Sequence, residues 1–322
     1  MTAHVPKAML RLGLLASTLA LGCKEETFDY SSDDTASDPD DTIEAEEEES
    51  VWDDLTLETS ESLFGAYASG AGFYVTGTGG VSAIRSQGEW TLFDIDVDDE
   101  DLNSLWGQGA GTAIEMVTVG DAGNVGTWTT DTWVVEDVGT PNFEGVSGIS
   151  SQDLFAVGWA GVYTNRTGEW VYESISGNPR FNAVWYDGNF AIAVGEEGII
   201  GFFDGQTWTL DDEITSSTLY SVHGTSPNNI WVVGESGTIL HFDGTGWTES
   251  DVGTSVSFWG VFVPSSDEVF AVGNNGTALH YSSGAWTDLP TGIDNNLYAV
   301  TVSSGGSVWA VGNRGATLRL IP

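Results

Sequence analysis

Basic residues are scarce in this chain. Its 322 residues hold 8 Lys plus Arg against 48 Asp plus Glu, a formal net charge of −40. So few cations cannot form a stripe that neutralises phosphates, which excludes nucleic acid as a partner. Electrostatic docking on anionic lipid is excluded on the same ground. The acidic excess favours solubility and cationic partners, metal ions included, or it is a solvent-facing coat suited to a salty habitat. Cysteine is almost missing: Cys23 is the only one, so no intramolecular disulfide can form. Past the N-terminal region histidine is limited to His223, His241 and His280. His241 and His280 sit at equivalent positions one repeat apart, too far for a metal pair, and all three are read as structural or surface residues. No amphipathic helix is legible after residue 23. What is abundant is glycine, 42 residues, and tryptophan, 14 residues, set among short β-branched and aromatic runs. That punctuation reads as all-β, and a 40% hydrophobic content is ample for a sizeable core.

The N-terminus has a different texture. Lys7 and Arg11 form a positive region ahead of an uncharged run of ten, Leu12 to Leu21. Such a run is short for a membrane span and right for the apolar part of a signal peptide. It ends in LALGC, Leu19 to Cys23, which resembles the bacterial lipobox, with Ala20 and Leu21 in the reverse of the commonest order. The resemblance implies cleavage after residue 22 and a diacyl-glyceryl anchor on Cys23. Lys24 rather than Asp follows, which by analogy with enterobacterial sorting favours the outer membrane. Residues 24–50 carry 13 acids and one lysine with few apolar side chains. Dense like charge and little to bury predict a disordered, self-repelling tether over residues 23–50, a spacer that is also able to attract cations.

From residue 51 onward one unit recurs. Its skeleton is V-G-x-x-G, an alternating run, then a glycine-led turn into tryptophan, as in VGESGTILHFDGTGW. The glycine pairs are Gly77/Gly80, Gly120/Gly123, Gly158/Gly161, Gly195/Gly198, Gly234/Gly237, Gly273/Gly276 and Gly312/Gly315. The first glycines lie 43, 38, 37, 39, 39 and 39 residues apart. Each unit breaks into four short strand-like runs, and four strands per ~40 residues make one propeller blade. The two residues inside V-G-x-x-G predict a tight hairpin, with flanking glycines supplying backbone angles that other residues resist.

The two ends complement each other. After Trp286 the chain supplies three strand-like runs and stops, while residues 50–57, SVWDDLTL, read as a fourth strand without the first three. The fold class expected is therefore all-β, a seven-bladed propeller over residues 51–322 whose last blade is closed by the N-terminal strand, leaving no open edge. The repeat tryptophans, Trp52, Trp90, Trp133, Trp170, Trp208, Trp247 and Trp286, are expected to pack between blades. Trp159 stands apart. It lies inside the turn of blade three, where packing does not need it, and is a candidate contact residue.

The units VGESGTILHFDGTGW and VGEEGIIGFFDGQTW resemble the BNR or Asp-box repeats of sialidase-like propellers, and most of all the photosystem II assembly factor propellers and related repeat lipoproteins of bacteria. Asp204-Gly205-Gln206-Thr207-Trp208 and Asp243-Gly244-Thr245-Gly246-Trp247 keep the Asp, Gly and Trp of the Asp box at altered spacing. In that family the box stabilises a turn, and this chain is expected to use it so. The sialidase resemblance would require an arginine triad. The propeller offers only Arg85, Arg166, Arg180, Arg314 and Arg319, with no Tyr–Glu nucleophile pair among its repeats. The basic patch that the assembly factors use has no counterpart. Neither a nucleophile elbow nor a Ser-His-Asp set is legible, so the chain is read as a non-enzyme.

One acidic run is a candidate cation site. In DIDVDDED, residues 94–101, Asp94, Asp96 and Asp98 alternate like the opening of a calcium loop. The sixth position is Asp99 rather than glycine, so it is no EF-hand. Asp121, Glu196, Glu197 and Glu235, in or beside the V-G-x-x-G turns, are expected to share its face and, with Trp159, to form a partner-binding face. The leading expectation is an exported, monomeric lipoprotein of the cell envelope whose propeller binds an envelope or extracellular protein. Carbohydrate binding or processing, and calcium-stabilised adhesion, are the alternatives.

Overall fold

The computed structural model describes residues 52–109, 113–139, 141–211 and 214–320. The expected signal peptide, the Cys23 anchor and the tether lie outside the described residues. Seven four-stranded antiparallel sheets are arranged as the seven blades, each meandering in chain order from an inner to an outer strand. The seventh is made of Leu297–Val302, Val308–Gly312 and Thr317–Leu320, completed by Trp52–Asp54. Trp52 pairs with Leu320, Asp53 with Arg319 and Asp54 with Leu318. Two further backbone bonds, Leu55 N to Thr317 O at 2.7 Å and Leu57 N to Gly315 O at 2.9 Å, extend the join. The closure read from the two chain ends is therefore the one the fold uses.

Hydrophobic alternation drives each blade. The second strands are buried along most or, as in Asn229–Gly234, all of their length, because both faces pack on neighbouring sheets. The repeat tryptophans lock blade to blade. Trp90 donates from Nε1 to Leu55 O at 2.9 Å, Trp133 to Ser82 Oγ at 2.8 Å and Trp170 to Glu136 Oε1 at 2.8 Å, each reaching out of its own blade. The Asp-box remnants behave as turn stabilisers. Asp204 Oδ1 accepts from the backbone of Gln206 and Thr207, and Asp243 Oδ1 from that of Thr245 and Gly246.

The glycine pair has a physical basis only half foreseen. The second glycine adopts positive φ, from 67 to 97° across blades one to seven. The first does not: Gly195 has φ −164°, extended backbone open to any residue. It is glycine for space, since a Cβ there would lie 1.9 Å from Arg180 O, and the same contact recurs at Gly77, Gly120, Gly158 and Gly312. Six of the turns are single 3₁₀ turns whose middle residue is left-handed, for example Glu197 (φ 55°), Ser236 (φ 57°) and Arg314 (φ 55°). Blade three alone forms the expected two-residue hairpin, with Gly158 paired directly to Gly161. That is the turn carrying Trp159.

The innermost strands, one per blade, pack on one another around the whole ring, blade seven against blade one included. Their first residues, Leu63, Leu102, Phe143, Phe181, Leu219, Phe258 and Leu297, are fully buried. Immediately after each, the pairing register shifts by one residue. A bulge re-aims the side chain at the irregularity. Here it lets one buried residue be followed by one facing the axis, at the same height in every blade.

Candidate functional site

Those second residues form the mouth of a central cavity of about 750 Å³, lined by all seven inner strands. In ring order they are Phe64, Asn103, Glu144, Asn182, Tyr220, Trp259 and Tyr298. The first residue of each inner strand pairs with the first glycine of its V-G-x-x-G turn, as Phe143 does with Gly158, so the mouth opens on the face of those turns. One residue deeper the wall is uniformly small: Gly65, Ser104, Gly145, Ala183, Ser221, Gly260 and Ala299. Neighbouring inner strands approach too closely for more, since a Cβ on Gly260 would sit 2.8 Å from Tyr298 O.

The mouth is two-sided. Blades five, six, seven and one contribute a continuous aromatic arc. Tyr220 stacks on Trp259 at 4.1 Å, Trp259 meets Tyr298 edge-on at 5.9 Å, and Tyr298 meets Phe64 edge-on at 5.1 Å. Trp259 Nε1 donates to Asn274 Oδ1 at 2.6 Å, which fixes the ring to its own turn. Blades two, three and four contribute polar groups. Asn103 and Asn182 each donate to the first-residue carbonyl of the next inner strand, Phe143 O at 2.9 Å and Leu219 O at 2.8 Å. Glu144 stands between them. In a ring of seven, blade three lies across from blades six and seven, so Glu144 stands opposite the Trp259–Tyr298 side.

Burial pushes the Glu144 carboxyl above the usual carboxylate range. The charges of Asp121, Asp101 and Glu196 push the same way, against a hydrogen bond from the Trp159 indole. Burial raises the Tyr220 phenol, and Glu235 adds to the rise. Deeper in the wall, His223 Nδ1 accepts from Val263 N at 3.1 Å, and burial pushes its pKa down to about 4, so it is neutral.

The residues singled out from sequence fall around this mouth with two exceptions. Trp159 is 51% exposed. Its indole reaches Glu144, and Arg180 lies over its ring at 5.2 Å while pairing with Glu196 at 3.7 Å. Asp121 accepts from Asn103 at 3.0 Å. Glu196 and Glu235 act on the mouth residues as described. Glu197 is the exposed left-handed tip of its turn, without a described tie to the mouth. The calcium candidate is the second exception. Asp94, Asp96 and Asp98 do share the face, since a Cβ on Gly80 would meet Val97 and Ile95. But they alternate because Ile95 and Val97 are buried between them, and the three side chains are exposed. Among the described residues no group of three or more His, Cys, Asp or Glu converges as metal ligands.

The histidines and most of the propeller's arginines are locally engaged. His241 stacks on Trp231 at 4.3 Å and meets Asn229 Oδ1 at 3.0 Å. His280 stacks on Phe270 at 4.5 Å and meets Glu268 at 3.1 Å. Arg319, at the equivalent place in blade seven, lies over Trp309 at 5.7 Å and pairs with Asp53. Arg166 pairs with Asp153 at 3.2 Å. The mouth residues Glu144, Tyr220, Trp259 and Tyr298 went unnoticed in the sequence. The available signal was the second position of each first strand, where aromatics in four consecutive blades give way to Asn, Glu and Asn.

No protein-family model matches the chain, and no curated protein of related sequence does. Solved structures do resemble it. A structure of YCF48 bound to D1 peptide is 19% identical with a TM-score of 0.67, over 84% of this chain and 97% of that one. YCF48 from Cyanidioschyzon merolae is 16% identical with a TM-score of 0.67, over 84% and 98%. A streptogramin B lyase is 14% identical with a TM-score of 0.72, over 83% and 96%. At these identities the likeness establishes the propeller fold, and the resemblance to photosystem II assembly factors holds at that level.

Proposed function

We propose that this chain is an exported, lipid-anchored scaffold whose propeller holds a partner protein on the face of the V-G-x-x-G turns. The observation that carries the reading is the mouth itself. A rigid ring presents four aromatic side chains, a carboxylate set among like charges and an exposed tryptophan around one cavity. Rigid aromatics around a concavity are what protein recognition uses as anchors. That a structural neighbour, YCF48, is described with a bound peptide agrees with a propeller serving this purpose. Anchoring through Cys23 rests on the lipobox resemblance, and labelled lipid on Cys23 in the native host tests it.

Carbohydrate binding is the second reading. It is favoured by Trp159, an exposed ring whose indole reaches Glu144 at the mouth. Against it, Tyr220 and Trp259 each cover one face of the other at 4.1 Å, and Arg180 covers one face of Trp159 at 5.2 Å, so open stacking platforms are fewer. The test is capture from envelope extract of the native host on the immobilised full chain, beside a Trp259→Ala chain. Reproducible enrichment of one protein by the parent and its loss on the variant support the scaffold. Enrichment of polysaccharide alone overturns it in favour of the glycan reading.

A further inference from the structure

We propose that the mouth is a cation pocket, in which a lysine or arginine side chain presented by the partner lies between the Tyr220–Trp259–Tyr298–Phe64 arc and the Glu144 carboxylate. The proposal rests on the scaffold reading and names the chemistry that the scaffold selects.

Charge and shape both point to this occupant. Glu144 is set into the wall of a cavity, and the charges acting on it most are those of Asp121, Asp101 and Glu196. A carboxylate so placed is poorly solvated and repelled, and a cation relieves both penalties where an apolar or anionic group would relieve neither. Across the ring, Tyr220, Trp259, Tyr298 and Phe64 border the same cavity, and a cation that reaches the uncovered face of one of these rings is attracted by its electron-rich π-system. His223, deeper in the wall, is neutral and offers no opposing charge. The cavity below the mouth, about 750 Å³ and lined by all seven inner strands, has room for a long stem. A bare metal ion is a poor fit, because the arc supplies no carboxylate and no group of three or more His, Cys, Asp or Glu side chains converges among the described residues. The rim carries an internal precedent: the Arg180 guanidinium already sits over the Trp159 indole at 5.2 Å and beside Glu196 at 3.7 Å.

A protein with net charge −40 attracts any cation weakly, so the test must separate the pocket from the general field. The probes are four amidated pentapeptides, Gly-Gly-X-Gly-Gly, with X as lysine, arginine, acetyl-lysine or glutamate. Binding to the full chain is read by ligand-observed NMR at near-physiological salt, which screens the distant charges. The lysine and arginine peptides are expected to bind at least about tenfold more tightly than the acetyl-lysine and glutamate peptides. Glu144→Gln, an isosteric change, and Trp259→Ala should each weaken the lysine peptide by about tenfold. Asp98→Asn, which removes one charge on the same face, should change it less than about twofold. A thermal melt of each variant confirms that the ring is intact. Equal binding of lysine and acetyl-lysine peptides, or equal loss in Glu144→Gln and Asp98→Asn, overturns the pocket. If a partner protein is captured equally by parent, Glu144→Gln and Trp259→Ala chains, the scaffold survives and the cation pocket does not. If neither partner nor peptide is retained, both fall.

Discussion

Replacing Trp52 by alanine tests the ring closure most directly. Trp52 opens the three-residue strand that completes blade seven, is only 5% exposed, and belongs to a cluster with Phe270, Leu297, Val308 and Leu318. Truncating a buried tryptophan costs about 3–5 kcal/mol through lost contacts and the cavity left behind. The neighbouring Asp53–Arg319 pair is partly exposed and contributes at most about 1 kcal/mol, so it cannot hold the strand alone. For a domain of this size each kcal/mol moves Tm by roughly 2–4 °C, which puts the expected fall on the order of 10 °C. The loss should be larger than for other blade tryptophans of similar burial, because a freed strand exposes the backbone edge of Thr317–Leu320. The assay is thermal unfolding followed by near-ultraviolet circular dichroism, with light scattering to register association. Trp159→Ala is the comparison. That side chain is 51% exposed, and its removal should change stability by less than about 0.5 kcal/mol. If Trp52→Ala melts within the spread of Trp159→Ala, the chain ends do not close the ring as described.

Other consequences can be measured with the same material. The Glu144 pKa is raised above its ordinary value of 4.5 by burial and by Asp121, Asp101 and Glu196, with Trp159 opposing. The folded state therefore holds this proton more tightly than the unfolded chain, so its contribution to stability falls as pH rises from 4.5 through the raised value. Glu144→Gln should flatten that fall and raise Tm at neutral pH, and an unchanged slope of Tm against pH would contradict the assigned environment. Gly195→Ala places a Cβ 1.9 Å from Arg180 O and should cost about 1–3 kcal/mol in chemical denaturation. Glu197→Gly, at φ 55° in the same turn, should be neutral or stabilising by up to about 1 kcal/mol. Calcium should move Tm by less than about 1 °C relative to chelator, since no three ligating side chains gather among the described residues. A rise of several degrees abolished by Asp96→Asn would show that Asp94, Asp96 and Asp98 do gather round an ion.

The fold was legible because its information is repeated seven times. Glycine pairs at near-constant spacing and one tryptophan per unit leave a single architecture, and the unequal chain ends dictate how it closes. The turn chemistry was legible only in part. Sequence marks Gly195 and Gly198 as alike, whereas one answers to an approaching carbonyl and the other to a left-handed backbone. In residues 94–98 the alternation of aspartates was visible, but the cause lay in Ile95 and Val97, which needed an inside to be buried in. The site was harder to see for a physical reason. Strand periodicity assigns successive residues to opposite faces, and the bulge in every inner strand breaks that assignment where the mouth residues lie. Glu144 therefore looked like any other acid among many. Trp159 was noticed because its turn had no use for it, and only the folded ring brings it beside Glu144.

The closing strand also has a consequence in time. Asp53 and Arg319 are separated by 266 positions, close to the largest separation the propeller allows. Blades one to six can pair their own strands as they emerge, since their contacts are local or between neighbours. The seventh cannot, and until residue 320 is made, Trp52–Asp54 has no strand to join. Formation of the ring thus waits for residues 317–320, and contacts of such high order are slow to form. Before that point the propeller is an open arc with two sticky ends, and the step that ends its vulnerability comes after the strands of the other six blades have been made.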